Sequence, residues 1–140
     1  METTALLQLE ELLFPVMEMH TNAKHDVQGE RAGTVLQYGQ ELQKIDGQPG
    51  KYGLMISVRS DDEKSKNPPY RFAVEAHAIV SVVNGTPGSD DELAFIRTNA
   101  LPIVMGAIRE RLADMTARAP WGRFLINAVP VQEPMQIRSI

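Results

Sequence analysis

The sequence predicts an α+β fold built on a long antiparallel hairpin, with a long amphipathic helix after it and further extended stretches before it. Two observations carry this. Tyr52, Leu54, Ile56 and Val58 alternate with Gly53, Met55, Ser57 and Arg59, and beyond a polar loop Tyr70, Phe72, Val74, Ala76, Ala78, Val80 and Val82 form an apolar row. Period two on both sides of a turn is the pattern of paired strands with one buried face. Downstream, Leu93, Ile96, Leu101, Val104, Ile108, Leu112 and Met115 recur at spacings of three to five, opposite Arg97, Arg109, Glu110 and Arg118. That is one apolar helical stripe.

Taken in order, the first stretch is ambiguous. Leu6, Leu9 and Leu13 have helical spacing, while Leu7, Leu9 and Glu11 alternate; Leu and Glu favour helix, so the local reading of residues 5–13 is a helix. Pro15 interrupts it, and Val16 to His20 reads as a strand with Met17 and Met19 on one face. From Thr34 to Leu42 the weak alternation Leu36, Tyr38, Leu42 predicts a third strand or an extended crossover. Between the hairpin strands, Asp61 to Lys66 alternates in sign and ends in Asn67-Pro68-Pro69, the composition of a solvated loop. The second hairpin strand reaches about 15 residues, which is long for a strand. Its other row, Arg71, Ala73, Glu75 and His77, turns apolar at Ile79, so part of it is apolar on both faces, as a subunit contact requires.

Asn84 to Gly88 is a turn cluster, and Ser89-Asp90-Asp91-Glu92 has the spacing of a capping box. Pro102 argues against one uninterrupted helix, because it lacks an N–H and crowds the preceding turn. The expectation is a short first helix, a break at Thr98-Asn99, and a second helix from about Ala100 to Ala117 with Asn99 as its cap. Ala119-Pro120-Trp121-Gly122 ends it, and Phe124 to Val129 is a short strand-like segment.

The chain has 140 residues, 18 Asp and Glu against 14 Lys and Arg, a net charge of −4 and no cysteine. A domain of this size buries about two thirds of the surface of its unfolded chain, so residues 1–140 are expected to form one domain without staples. Disulfide scaffolds and thiol chemistry are excluded. The charge balance gives no nucleic-acid footprint, and no apolar run reaches the ~20 residues of a membrane helix. A soluble, unexported, cytoplasmic protein is expected.

Residues capable of chemistry are sparse. His20, His25 and Asp26 fall within seven positions, but in no common zinc spacing. Glu75 and His77 share a strand face, with no nucleophile or oxyanion donor nearby in sequence. No phosphate-binding glycine loop and no Gly-x-Ser-x-Gly motif occurs, so no cofactor, no metal and no enzymatic activity are expected. Seven methionines are flexible apolar material suited either to core gaps or to an adaptable binding surface.

The order of these features resembles the SecB family of export chaperones. Leu7 to Glu10 through Phe14-Pro15-Val16-Met17-Glu18-Met19-His20-Thr21-Asn22-Ala23 is similar to the family's first strand and the turn after it. Tyr52 to Arg59 and Phe72 to Val82 resemble its inner and long strands. Asn99-Ala100-Leu101-Pro102 through Ile108-Arg109-Glu110 to Arg118, then Phe124-Leu125-Ile126-Asn127-Ala128-Val129-Pro130-Val131, resemble its proline-containing helix start and the segment that follows. The resemblance spans about residues 6–131.

The resemblance implies a four-stranded antiparallel sheet with helices packed on one face, which replaces the local helix reading of residues 5–13 by a strand. It also implies a homo-oligomer, a dimer or a dimer of dimers, that holds non-native polypeptides without ATP, for protein export or for one dedicated client. The peptide-binding residues it points to are Val35, Leu36, Tyr38 and Leu42, with Phe14, Trp121 and Phe124 after them. The family continues past Pro130-Val131 into a second helix and an acidic tail associated with the SecA motor. Here Gln132 to Ile140, containing Pro134, is too short for a full helix, so a SecA partnership is not carried over. The alternative is a structural or assembly protein that uses the same sheet to oligomerise or to bind one folded partner.

Overall fold

A computed structural model describes residues 4–30, 33–126 and 136–139. The elements are β1 (Leu6–Thr21), β2 (Leu36–Lys44), β3 (Lys51–Ser60), β4 (Tyr70–Val83), α1 (Asp90–Thr116) and β5 (Gln136–Ser139). They form one sheet in the order β1-β4-β3-β2-β5 with α1, the single helix among the described residues, on one face. The first four strands are antiparallel neighbours, as the resemblance implied, and β5 adds to the outer edge of β2 in parallel. The expected helices are one helix.

The alternation in β3 and β4 becomes burial directly. Tyr52, Leu54, Ile56 and Val58 face the helix together with Tyr70, Phe72, Val74, Ala76, Ala78 and Val80, and all are buried. The matching helix residues are Ile96, Ala100, Leu101, Val104, Ile108 and Leu112. At 25 cal/mol per Å² of apolar surface, each large side chain here stabilises by roughly 1.5–3 kcal/mol. Alanines at positions 76 and 78 leave room on β4 for the helix to lie close.

Two local readings are corrected by that core. Residues 5–13 lie in a strand, not a helix: pairing of β1 with β4 along Leu6 to Thr21 outweighs the helix preference of Leu and Glu. Pro15 sits in a register shift between Leu13 and Val16 on an edge strand, where a missing N–H interrupts little. Likewise α1 passes through Pro102 unbroken, because the buried stripe from Ile96 to Leu112 is continuous across it and Pro102 itself is exposed. Asn99 is not a cap. It lies inside the helix, and its Nδ2 donates to the Phe95 carbonyl at 2.8 Å.

The helix start follows the predicted cap in half. Ser89 Oγ accepts from Glu92 N at 3.1 Å, but the Glu92 carboxylate turns inward instead of returning to Ser89. It accepts from Tyr52 Oη on β3 and, at 3.2 Å, from Gly88 N, which also reaches Tyr52 Oη at 3.0 Å. This buried cluster ties the helix N-terminus to the sheet. The β3–β4 loop is similarly tied, since Asp61 is buried instead of solvated: its carboxylate accepts from the amides of Glu63 and Lys64 and from Gln37 Nε2.

Burial and the hydrogen bond to Glu92 hold the Tyr52 hydroxyl above its ordinary pKa of 10, against a lowering by Gly88 N–H. The folded chain therefore keeps this proton more tightly than the unfolded one. The associated stability is complete below about pH 10 and is lost as pH rises through the folded value. Tyr52→Phe is expected to lower stability by about 1–3 kcal/mol in urea unfolding at neutral pH. It should also flatten the alkaline loss seen in the parent chain.

Candidate functional site

Strand β2 carries the residues named for peptide binding, and its unbroken register with β3 decides where each points. Leu36, Tyr38, Gln40, Leu42 and Lys44 pair with Ser60, Val58, Ile56, Leu54 and Tyr52, which places them on the helix side of the sheet. Because α1 lies over β4 and β1 more than over β3, this side of β2 is covered unevenly. Leu42 is 1% exposed and belongs to the core. Leu36 and Tyr38 are half-buried against it, and Val35, just before the strand, is 39% exposed. Burial raises the Tyr38 pKa. Between Tyr38 and Leu42, Gln40 has Oε1 buried with no hydrogen-bond donor among the described residues.

Trp121 and Phe124 lie on the helix side at the end of the sheet where Leu36 sits, and both are fastened to the framework. Trp121 Nε1 donates to the Asn22 carbonyl at 2.9 Å, and its amide donates to Tyr70 Oη at 2.9 Å. The His25 ring lies 5.2 Å from the indole, with Nδ1–H donating to the Asn67 carbonyl. Phe124 packs on Phe72 at 5.3 Å, and its amide donates to Thr116 Oγ1. Phe14 is placed apart from this group, on β1, with the Arg111 guanidinium 5.1 Å over its ring. The structure thus places Leu36 and Tyr38 on the helix side at the end where Trp121 and Phe124 lie, leaves Val35 exposed just before the strand, and separates Phe14.

The opposite face of the sheet carries no helix among the described residues. Gly39, Ser57 and Ala73 keep its centre low, and with Val16, Gln37, Arg59 and Glu75 they line a shallow depression of about 650 Å³. A side chain at Gly39 would meet Ser57 Oγ. His77 and Glu75 are on this face, Nε2 to Oε1 at 3.5 Å, and the in-register neighbours of His77 are Leu13 and Met55. The in-register neighbours of Glu75 are Val16 and Ser57. Among the described residues no group of three or more His, Asp or Glu converges on one point, and no helix is long and apolar enough to cross a membrane. Sequence reasoning passed over the exposure of Leu6, Leu9, Leu13 and Met17 along β1, and over β5. The apolar character of the β1 residues is plain in the sequence; the edge position of β1 shows that no described strand pairs beyond them.

Among solved structures, the chain superposes on the Mycobacterium tuberculosis Rv1957 SecB-like chaperone in complex with a ChAD peptide from the Rv1956 HigA1 antitoxin. The TM-score is 0.62 at 12% sequence identity, over 88% of this chain and 90% of that one. The fold is SecB-like. A protein of unknown function from Streptococcus agalactiae gives a TM-score of 0.49 at 10% identity, covering 90% of this chain and 100% of that one. No family profile and no curated protein matches the sequence. The SecB-like likeness is one of architecture, and each side chain's part follows from its own surroundings.

Those surroundings make Trp121 a fastener first. Trp121→Phe keeps most of the packing but removes the bond to Asn22, and is expected to cost about 1 kcal/mol in chemical unfolding. Leu125→Ser, at an exposed apolar position in the same segment, should leave stability unchanged within about 0.5 kcal/mol.

Proposed function

We propose that this chain is an ATP-independent chaperone that holds non-native polypeptides, with Val35, Leu36 and Tyr38 as the centre of its binding surface. The observation that carries this reading is an apolar shelf at the β2 side of a SecB-like sheet, half-exposed where the helix does not reach. A structural neighbour with the same architecture is itself a chaperone in complex with a peptide. Holding a client needs adaptable apolar surface and no turnover chemistry. Trp121 and Phe124 border the shelf as rigid aromatic walls, Leu42 supports it from the core, and Phe14 marks a further contact on the β1 side.

The second edge of the sheet favours self-association. β1 is 16 residues long and leaves Leu6, Leu9, Leu13 and Met17 exposed, Leu13 by 55%. Apolar side chains along an unpaired edge are a liability in a lone protomer and an interface in an oligomer. A dimer joined along β1, alone or doubled, leaves the β2 shelf outward. The native mass is therefore expected to be a multiple of 15.5 kDa at micromolar concentration, reduced to one protomer by Leu13→Glu with Met17→Glu. A monomeric parent chain would refute this.

The chaperone reading predicts that the purified protein suppresses aggregation of a chemically unfolded protein without nucleotide. Val35→Asp, at an exposed position outside the core, should weaken client binding by tenfold or more while unfolding midpoint and native mass stay unchanged. Leu36→Asp and Tyr38→Asp should act in the same direction with an added loss of stability, since both touch the core. Absence of suppression at several-fold excess, with an intact oligomer, would favour the structural or assembly role instead.

A further inference from the structure

The outer edge of β2 already holds a strand. Gln136 to Ser139 pair with Glu41 to Lys44 in parallel, and among the described elements β5 contacts β2 alone. It has four residues, against nine in β2 and 16 in β1. Parallel pairing is slightly weaker per residue than antiparallel pairing, and a four-residue ladder with one neighbour is the least anchored element of this sheet. By contrast the strand it lies on is regular: β2 and β3 stay in register over all nine residues. The other edge is a poorer template, since β1 has two register shifts and contains Pro15.

We propose that the outer edge of β2 is a strand-addition site for an extended polypeptide segment, and that Gln136–Ser139 is its internal occupant, displaced when a client enters parallel to β2. This rests on the chaperone reading above and adds how the client is held. A client segment running the length of Leu36 to Lys44 pairs with twice as many residues as β5 does. Its alternate side chains pass over Leu36 and Tyr38 on the helix side, where the apolar shelf lies. It also carries backbone donors past Gln40, whose Oε1 is buried without one among the described residues. Backbone pairing supplies affinity that does not depend on client sequence, and alternate apolar positions supply the preference for non-native segments. As a segment of the same chain, β5 competes intramolecularly and so screens the edge against weak, short or polar segments.

The test uses the full chain with Ile137→Pro, which removes a backbone donor from β5. Hydrogen exchange of those Glu41–Lys44 amides that face β5 should accelerate by tenfold or more, while the amides of β2 that face β3, and those of β3 and β4, keep their protection. A synthetic peptide of residues 132–140 added in trans should restore it. Reduced, carboxymethylated lactalbumin, a permanently unfolded client, should bind the variant several-fold more tightly than the parent chain and protect Leu36 to Lys44. Unchanged exchange in the variant, or no protection by the peptide, overturns the inference. Equal client binding by both proteins, with protection elsewhere, also overturns it and leaves the chaperone reading standing. Protection by the peptide with no client bound by either protein overturns the chaperone reading and the client's part in this inference, leaving only a self-occupied edge.

Discussion

Strand β4 is the constraint on which the other elements depend. It is the only element that pairs with both β1 and β3, and its alternate side chains from Tyr70 to Val80 form the floor on which α1 lies. Shifting it by one residue would turn Phe72, Val74 and Val80 to the open face and bring Arg71, Glu75 and His77 beneath the helix. Burying three ionisable groups without partners costs far more than any local preference along the chain. Register, the path of β1 and the place of the helix are therefore one decision, taken by the apolar row of β4.

The same logic separates what could be read along the chain from what could not. Where burial follows strict period two, as in β3 and β4, side-chain pattern alone locates strands and faces. In β1 the Leu and Glu residues satisfy both periods, and only a partner some 50 to 80 positions away settles the matter. Pro102 is the reverse case: a strong local breaker is overridden because the apolar stripe continues on both sides of it. β5 has no pattern of its own, since four residues at an edge take their conformation from the strand they join.

Within the proposed binding surface, alternation assigned Leu36, Tyr38 and Leu42 to one face but could not tell depth. Leu42 is core and Leu36 is half-exposed because α1 covers the sheet unevenly, a fact of helix placement. Trp121 and Phe124 look like free aromatics in a Pro/Gly-rich turn. Their roles come from Asn22, Tyr70 and Phe72, which no short-range spacing connects to them. The buried Glu92 was legible as a capping residue, yet its partner Tyr52 lies 40 positions upstream.

The strand order β1-β4-β3-β2 also has a consequence for synthesis. β1 is made first, and its nearest contact with β4, Thr21 beside Tyr70, requires 49 more residues. The β2–β3 and β3–β4 pairs join neighbours in sequence and can close as soon as they emerge, whereas β1 waits as an apolar segment without its strand partner. On the ribosome the nascent chain thus displays, for a time, the same kind of segment that the finished protein is proposed to hold.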